Sequence, residues 1–174
     1  LIALVMSTSE ALVHPFGGTE AMLGTNPVAI GIPTGGDPFV LDLATSVVSM
    51  GKINNHALRG APIPFGWAVD AEGRPTDDPV AAQRGAIAPF GDAKGYGPGL
   101  AIELLVAALA GSDTSPKVRG TLDDAQPANK GDLLVLIDPA SGMGAISVLA
   151  SYLDSLRLSR PLDPGRPVAV PGDG

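Results

Sequence analysis

A chain of 174 residues with 45% hydrophobic side chains can bury one sizeable core, so one domain, or one domain with pieces of another, is expected. Only 17% of the residues are charged and the formal net charge is -7, which excludes the broad basic field that duplex nucleic acid or an anionic membrane surface requires. The absence of cysteine and the presence of only two histidines, His14 and His56, exclude a disulfide framework and a thiolate or polyhistidine metal cluster, and the composition fits a cytoplasmic protein.

The chain opens on an apolar run, residues 1–6, with no basic flank and no initiator Met. It reads as a strand entered part-way, hence as the start of a fragment rather than a targeting segment. Further short runs rich in Val and Ile, at 28–32, 39–41, 67–69 and 133–137, are bounded by Gly, Pro, Asp or Thr and predict buried strands. A helix is expected from Ala44 to Leu58, closed by Gly60, with Asp42, Thr45 or Ser46 as its N-cap. Asp70-Ala71-Glu72-Gly73 predicts a hairpin turn that uses Gly73 for positive φ. Thr76 or Asp77 is expected to cap a short helix over 79–84, with Pro79 in its first turn. Residues 99–111 are apolar on nearly every face and predict a fully buried helix, in whose first turn Pro98 would cost little. Ala145, Val148, Leu149, Tyr152, Leu153 and Leu156 keep a single helical stripe and predict a surface helix. From Arg160 the Pro- and Gly-rich tail has little regular structure of its own.

Phe90-Gly91-Asp92-Ala93-Lys94-Gly95-Tyr96-Gly97-Pro98-Gly99 precedes the apolar helix. Glycines admit close approach to an anion, a helix start offers free N–H groups, and Lys94 adds a cation. The segment reads as a phosphate or carboxylate cradle or, in the bland alternative, as a flexible loop; it matches neither Walker A nor the dinucleotide fingerprint. Asp42 at a strand end could cap a helix or accept from ribose hydroxyls. Lys52 could be an exposed cation or a ligand contact, and Arg59 could simply complement a helix dipole. Thr25 and Asn26, in Gly24-Thr25-Asn26-Pro27, belong to a turn and offer polar groups at a strand edge. Neither histidine has a carboxylate partner recognisable in sequence, so both are read as packing or surface residues.

In order, Pro15-Phe16-Gly17-Gly18, Gly24-Thr25-Asn26-Pro27, Asp42-Leu43-Ala44-Thr45-Ser46, Gly51-Lys52-Ile53, Ile63-Pro64, Gly66-Trp67-Ala68-Val69-Asp70, Gly73 with Pro75-Thr76 and Asp78-Pro79, Lys94-Gly95-Tyr96-Gly97 and Asn129-Lys130-Gly131 resemble the malate/L-lactate dehydrogenase type 2 family. That family also includes ureidoglycolate, sulfolactate and piperideine-2-carboxylate enzymes. The resemblance runs from Ser9 to Gly174. It implies a mixed α+β (α/β) fold, with a non-Rossmann NAD(P)-binding domain built on a large, mostly antiparallel sheet flanked by helices. Residues 1–138 would belong to that domain, and the helix and tail at 139–174 to a second one.

By matching position, the resemblance implies cofactor contacts at Ser9, Asp42, Leu43, Ala44, Lys94, Gly172, Asp173 and Gly174, and a substrate contact at Thr25. The implied cofactor is NAD or NADP, the substrate a small 2-hydroxy or 2-keto acid, and the assembly a cytoplasmic homodimer. The family's proton-transferring histidine and carboxylate-clamping arginine lie N-terminal to the residues present, and neither His14 nor His56 matches them. The chain is therefore expected to lack its catalytic residue and to be inactive alone. Two departures stand out: Asp92, where a small uncharged residue is usual and where a carboxylate would oppose a phosphate at Lys94, and Pro98, where an apolar residue is common. The alternatives are a non-catalytic anion-binding module that uses only the Lys94 loop, and a structural remnant.

Overall fold

The computed structural model describes residues 1–122, 125–141 and 146–173, and these form an α+β fold of antiparallel sheets flanked by helices. Strands β1 (Ile2–Ser7), β2 (Val28–Ile32), β3 (Phe39–Leu43), β4 (Ala68–Val69) and β7 (Asp132–Ile137) lie where the apolar runs predict them, but only β4 is buried throughout as expected, and β7 is mostly exposed. Two short strands that no run announces, β5 (Pro75–Thr76) and β6 (Ala86–Ile87), complete the set. Instead of one large sheet, the described residues form a four-stranded sheet in the order β3-β2-β1-β7 and a three-stranded one in the order β5-β4-β6. The chain divides into two compact units, one of Leu1–Val5, Val28–Leu43 and everything from Leu134 onward, the other of Met6–Pro27 and Ala44–Leu133.

In the first unit β2 and β3 pair antiparallel, with Ala29 opposite Asp42 and Val28 opposite Leu43. Their connection is tied by Thr34, whose buried hydroxyl donates to the Asp37 carbonyl (2.6 Å) and accepts from the Gly36 amide. Helix α4 (Ser147–Arg157) has no fully buried residue, as the stripe predicts for a surface helix; Ala145 lies outside the described residues. Leu149, Tyr152 and Leu153 line a hollow with Ile32, Thr34 and Phe39. The tail beyond it contains no helix or strand among the described residues.

The second unit is built around Ile53 and Ile87, both fully buried, with Val13, Leu23, Val48, Ile63, Ala68 and Ala82. β4 pairs antiparallel with both β5 and β6. The β4–β5 turn is the expected one: Gly73, at φ 78°, donates to the Asp70 carbonyl (2.9 Å), and the Asp70 carboxylate accepts from the amides of Glu72 and Arg74.

Three helix expectations need correction. Helix α1 spans Met50–Leu58 and starts later than Ala44, with Ser49, not Asp42, Thr45 or Ser46, as its cap, its hydroxyl accepting from the Lys52 amide (3.2 Å). The segment before it is engaged elsewhere: Thr45 N bonds Thr25 O, Val47 N bonds Ala88 O, and Ser46 bridges to Pro89, so those backbone groups are spoken for by long-range partners. Helix α2 (Pro79–Ala82) is capped by the Asp78 carboxylate on the Val80 amide (2.9 Å) rather than by Thr76 or Asp77; the Thr76 hydroxyl instead accepts from Asp78 N. Helix α3 begins at Ala93 and runs to Ala110, so the glycine-rich stretch is its first turns and not a loop, and Pro98 lies inside it. Nor is α3 buried all round: Leu104, Leu105 and Leu109 are exposed, whereas Glu103 is only 3% exposed.

Candidate functional site

Within the second unit, the Gly24-Thr25-Asn26 segment is held from every side. The Thr25 amide donates to Ser9 Oγ (3.0 Å), and the Thr25 carbonyl accepts from both the amide (2.8 Å) and the hydroxyl (2.9 Å) of Thr45. The Thr25 side chain is half-buried, and its hydroxyl has no hydrogen-bond partner among the described residues. Gly24 is obligatory here, since a Cβ would lie 2.5 Å from both Ser9 Oγ and Asn26 Oδ1. Asn26, fully buried at φ 34°, donates through Nδ2 to the Gly99 carbonyl of α3 (3.0 Å) and to Glu103 Oε2 (2.6 Å), while its Oδ1 is buried without a partner. Glu103 also accepts from the amide (2.5 Å) and hydroxyl (2.6 Å) of Ser115, and that hydroxyl accepts from the Gly24 amide (2.7 Å).

Lys94 stands exposed in the first turn of α3 without an ion pair among the described residues. The N-cap Asp92, at φ 56°, makes no side-chain capping bond, so the helix start keeps its N–H groups free of a carboxylate cap. Gly95 is fixed by space, because a Cβ there would sit 2.1 Å from the Phe90 carbonyl oxygen. Gly99 packs against Thr45, which follows Ala44. The second unit thus gathers Ser9, Thr25 and the Ala44-Thr45 step against the helix that carries Lys94.

Within the first unit, Asp42 is exposed near the end of β3 with its carboxylate unpaired among the described residues, and Leu43 is half-buried beside it. Gly172, at φ 99°, lies so close to Val40 of β3 that a Cβ would meet its backbone at 3.3 Å, which leaves little room for any other residue. Asp173 is gripped by Arg157, whose Nε and Nη2 donate to it (3.1 and 2.7 Å), and by the Val170 amide (2.8 Å). The Arg157 guanidinium, helped by that amide, holds the Asp173 carboxyl below the usual carboxylate range. Gly174 lies outside the described residues.

The remaining candidates have ordinary structural explanations. His14 Nδ1 is 2.9 Å from the Pro15 carbonyl oxygen and His56 Nδ1 is 2.8 Å from that of Pro62. Lys52 Nζ sits 5.4 Å from the centroid of the Trp67 ring, a cation–π contact, and the same ring takes His56 edge-on. No cluster of His, Asp or Glu able to hold a metal ion occurs among the described residues.

Residues 1–174 match the malate/L-lactate dehydrogenase family throughout, and the chain belongs to that family. It is 39% identical over 176 residues to an L-sulfolactate dehydrogenase of Methanocaldococcus jannaschii, covering 99% of this chain and 51% of that protein. Among solved structures, a dehydrogenase from Sinorhizobium meliloti is 77% identical with a TM-score of 0.95, covering 99% of this chain and 51% of that one. A delta1-piperideine-2-carboxylate reductase from Pseudomonas syringae pvar. tomato is 36% identical with a TM-score of 0.82, covering 99% and 52% respectively. The chain therefore spans about half the length of the relatives it matches.

Proposed function

We propose that the protein is an oxidoreductase that transfers a hydride between NAD or NADP and a small 2-hydroxy acid of the malate or lactate kind, working as a cytoplasmic homodimer. The family match over all 174 residues carries this reading. Lys94 and the uncapped start of α3 would take a cofactor phosphate, and Asp42 would accept from ribose hydroxyls beside Leu43 and Ala44. Ser9 and the Gly172-Asp173-Gly174 tail would complete the cofactor contacts. When bound, the nicotinamide supplies the hydride chemistry, and the task of this chain is to orient the two reactants. The free Thr25 hydroxyl is suited to a substrate oxygen, because every backbone polar group of Thr25 is already satisfied.

We place the proton-transferring histidine and the carboxylate-clamping arginine outside residues 1–174, because neither His14 nor His56 matches the position of the histidine in the family that this chain resembles. On the same reading, residues 1–138 belong to the cofactor domain and 139–174 to a second one.

The test is turnover of the whole protein with NAD and NADP on malate, lactate, sulfolactate and ureidoglycolate. Oxidation of at least one is expected, and the chain of residues 1–174 alone should be inactive. No turnover on any of them, together with no NADPH binding by fluorescence, would sink the proposal. NADPH binding abolished by Lys94→Ala, in a whole protein without turnover, would favour a non-catalytic nucleotide-binding module instead.

A further inference from the structure

Glu103 is a buried carboxylate with no basic partner among the described residues, and it faces neutral donors alone. A charge or polar group taken out of water at such a position survives only if its hydrogen bonds are complete, so its location is dictated by the donors it meets. Those donors share one feature. Asn26 Nδ2 reaches Glu103 directly, and the Gly24 amide reaches it through the Ser115 hydroxyl. Both chain neighbours of Thr25 are thus fastened to a single carboxylate on α3, while Thr25 keeps its own hydroxyl free.

Asn26 adopts a positive φ of 34° and leaves its Oδ1 buried and unpartnered in order to aim Nδ2 at Gly99 O and Glu103. Turned over, the amide would set its oxygen against two acceptors. The carboxylate and the Gly99 carbonyl therefore select the side-chain orientation at the position after Thr25.

We infer that Glu103 is a positioning residue for the reaction proposed above, setting where the Thr25 hydroxyl stands toward a bound 2-hydroxy acid. The inference rests on that functional reading. It concerns the substrate side of the site, because the tie made by Glu103 lies along α3 from the exposed Lys94 turn and reaches the Thr25 segment.

The test uses the whole protein and Glu103→Gln. A glutamine keeps the shape, but its amide NH2 must face the Ser115 amide or the Asn26 Nδ2, donor against donor. The expected result is a rise in KM for the 2-hydroxy acid on the order of tenfold, with the NADPH dissociation constant changed less than about twofold. Ser115→Ala removes the relay to Gly24 but keeps the Ser115 amide bond, so a smaller rise in the same direction is expected.

An unchanged KM in Glu103→Gln overturns the inference. So does a loss in which KM rises while kcat and NADPH affinity fall in step with melting temperature, the pattern of a purely structural residue. Should Glu103→Gln fail to fold, Ser115→Ala decides: a raised KM at unchanged melting temperature supports the role, and an unchanged KM ends it. Absence of turnover by the wild-type protein overturns the functional reading and this inference with it, whereas wild-type turnover with unmoved variants overturns this inference alone.

Discussion

Asp173 shows how a single ion pair shapes an implied cofactor contact. Its carboxylate is already committed to Arg157 and to the Val170 amide, so what the tail can offer a ligand is backbone rather than free charge. Because the folded-state value lies below the usual carboxylate range, the pair contributes stability above the unfolded value of about 4 and loses it as pH falls through the folded value. Arg157 stays protonated throughout. Asp173→Asn should therefore lower the melting temperature at pH 6, and the difference from wild type should shrink as pH falls below the unfolded value; a difference that does not shrink would contradict this account. Lys94→Ala, in turn, should weaken NADPH binding roughly tenfold by removing one charge-assisted phosphate contact, read by nucleotide fluorescence at fixed salt.

At this scale the sequence was legible where a residue carries its own signal. Lys94 among glycines carries a local signal for an anion, whereas Asp42 and Thr25 read locally as a possible cap and a turn and become candidates only through the family resemblance. Glu103 carries neither signal: it interrupts an apolar run, which reads as buried helix, and its donors come from Asn26 and Ser115, remote in the chain. Arg157 was equally silent, since nothing near it in sequence points to Asp173.

The helices show where local rules yield to tertiary ones. A capping signal was visible before α1 and before α2, but in each the residue chosen by the fold, Ser49 and Asp78, was not the one the pattern favoured. Thr45 and Ser46 were good caps by type and were already bonded to Thr25 and Val48. The start of α3 was missed because four glycines between 91 and 99 argue for a loop on propensity alone, whereas two of them, Gly95 and Gly99, are there to let Phe90 and Thr45 approach the helix. Gly95→Ala tests this: it should destabilise by about 1–3 kcal/mol in urea unfolding even though alanine is the better helix former. A gain in stability would show that Phe90 can move aside. Ser49→Ala should cost about 1 kcal/mol by the same measurement, through loss of the cap on Lys52.

For the molecule as a whole, the strand runs located all of the longer strands and the two-residue β4, while β5 and β6 escaped because neither lies in a predicted apolar run. The fully buried helix was the wrong inference from an apolar composition: Leu104, Leu105 and Leu109 face outward here. No helix among the described residues is long and apolar enough to cross a membrane.

The carboxylate that fastens both neighbours of Thr25 also bears on how such a protein can be altered. Position 26 demands a left-handed backbone and a donor aimed at an acid, position 24 excludes any side chain, and position 115 must both give and take a proton-bearing contact. A library that randomises these sites one at a time would score each as intolerant. Libraries that vary 26, 103 and 115 jointly could reach exchanged donor–acceptor pairs that single steps never visit, so the accessible sequence space around the turn is a set of islands rather than a slope.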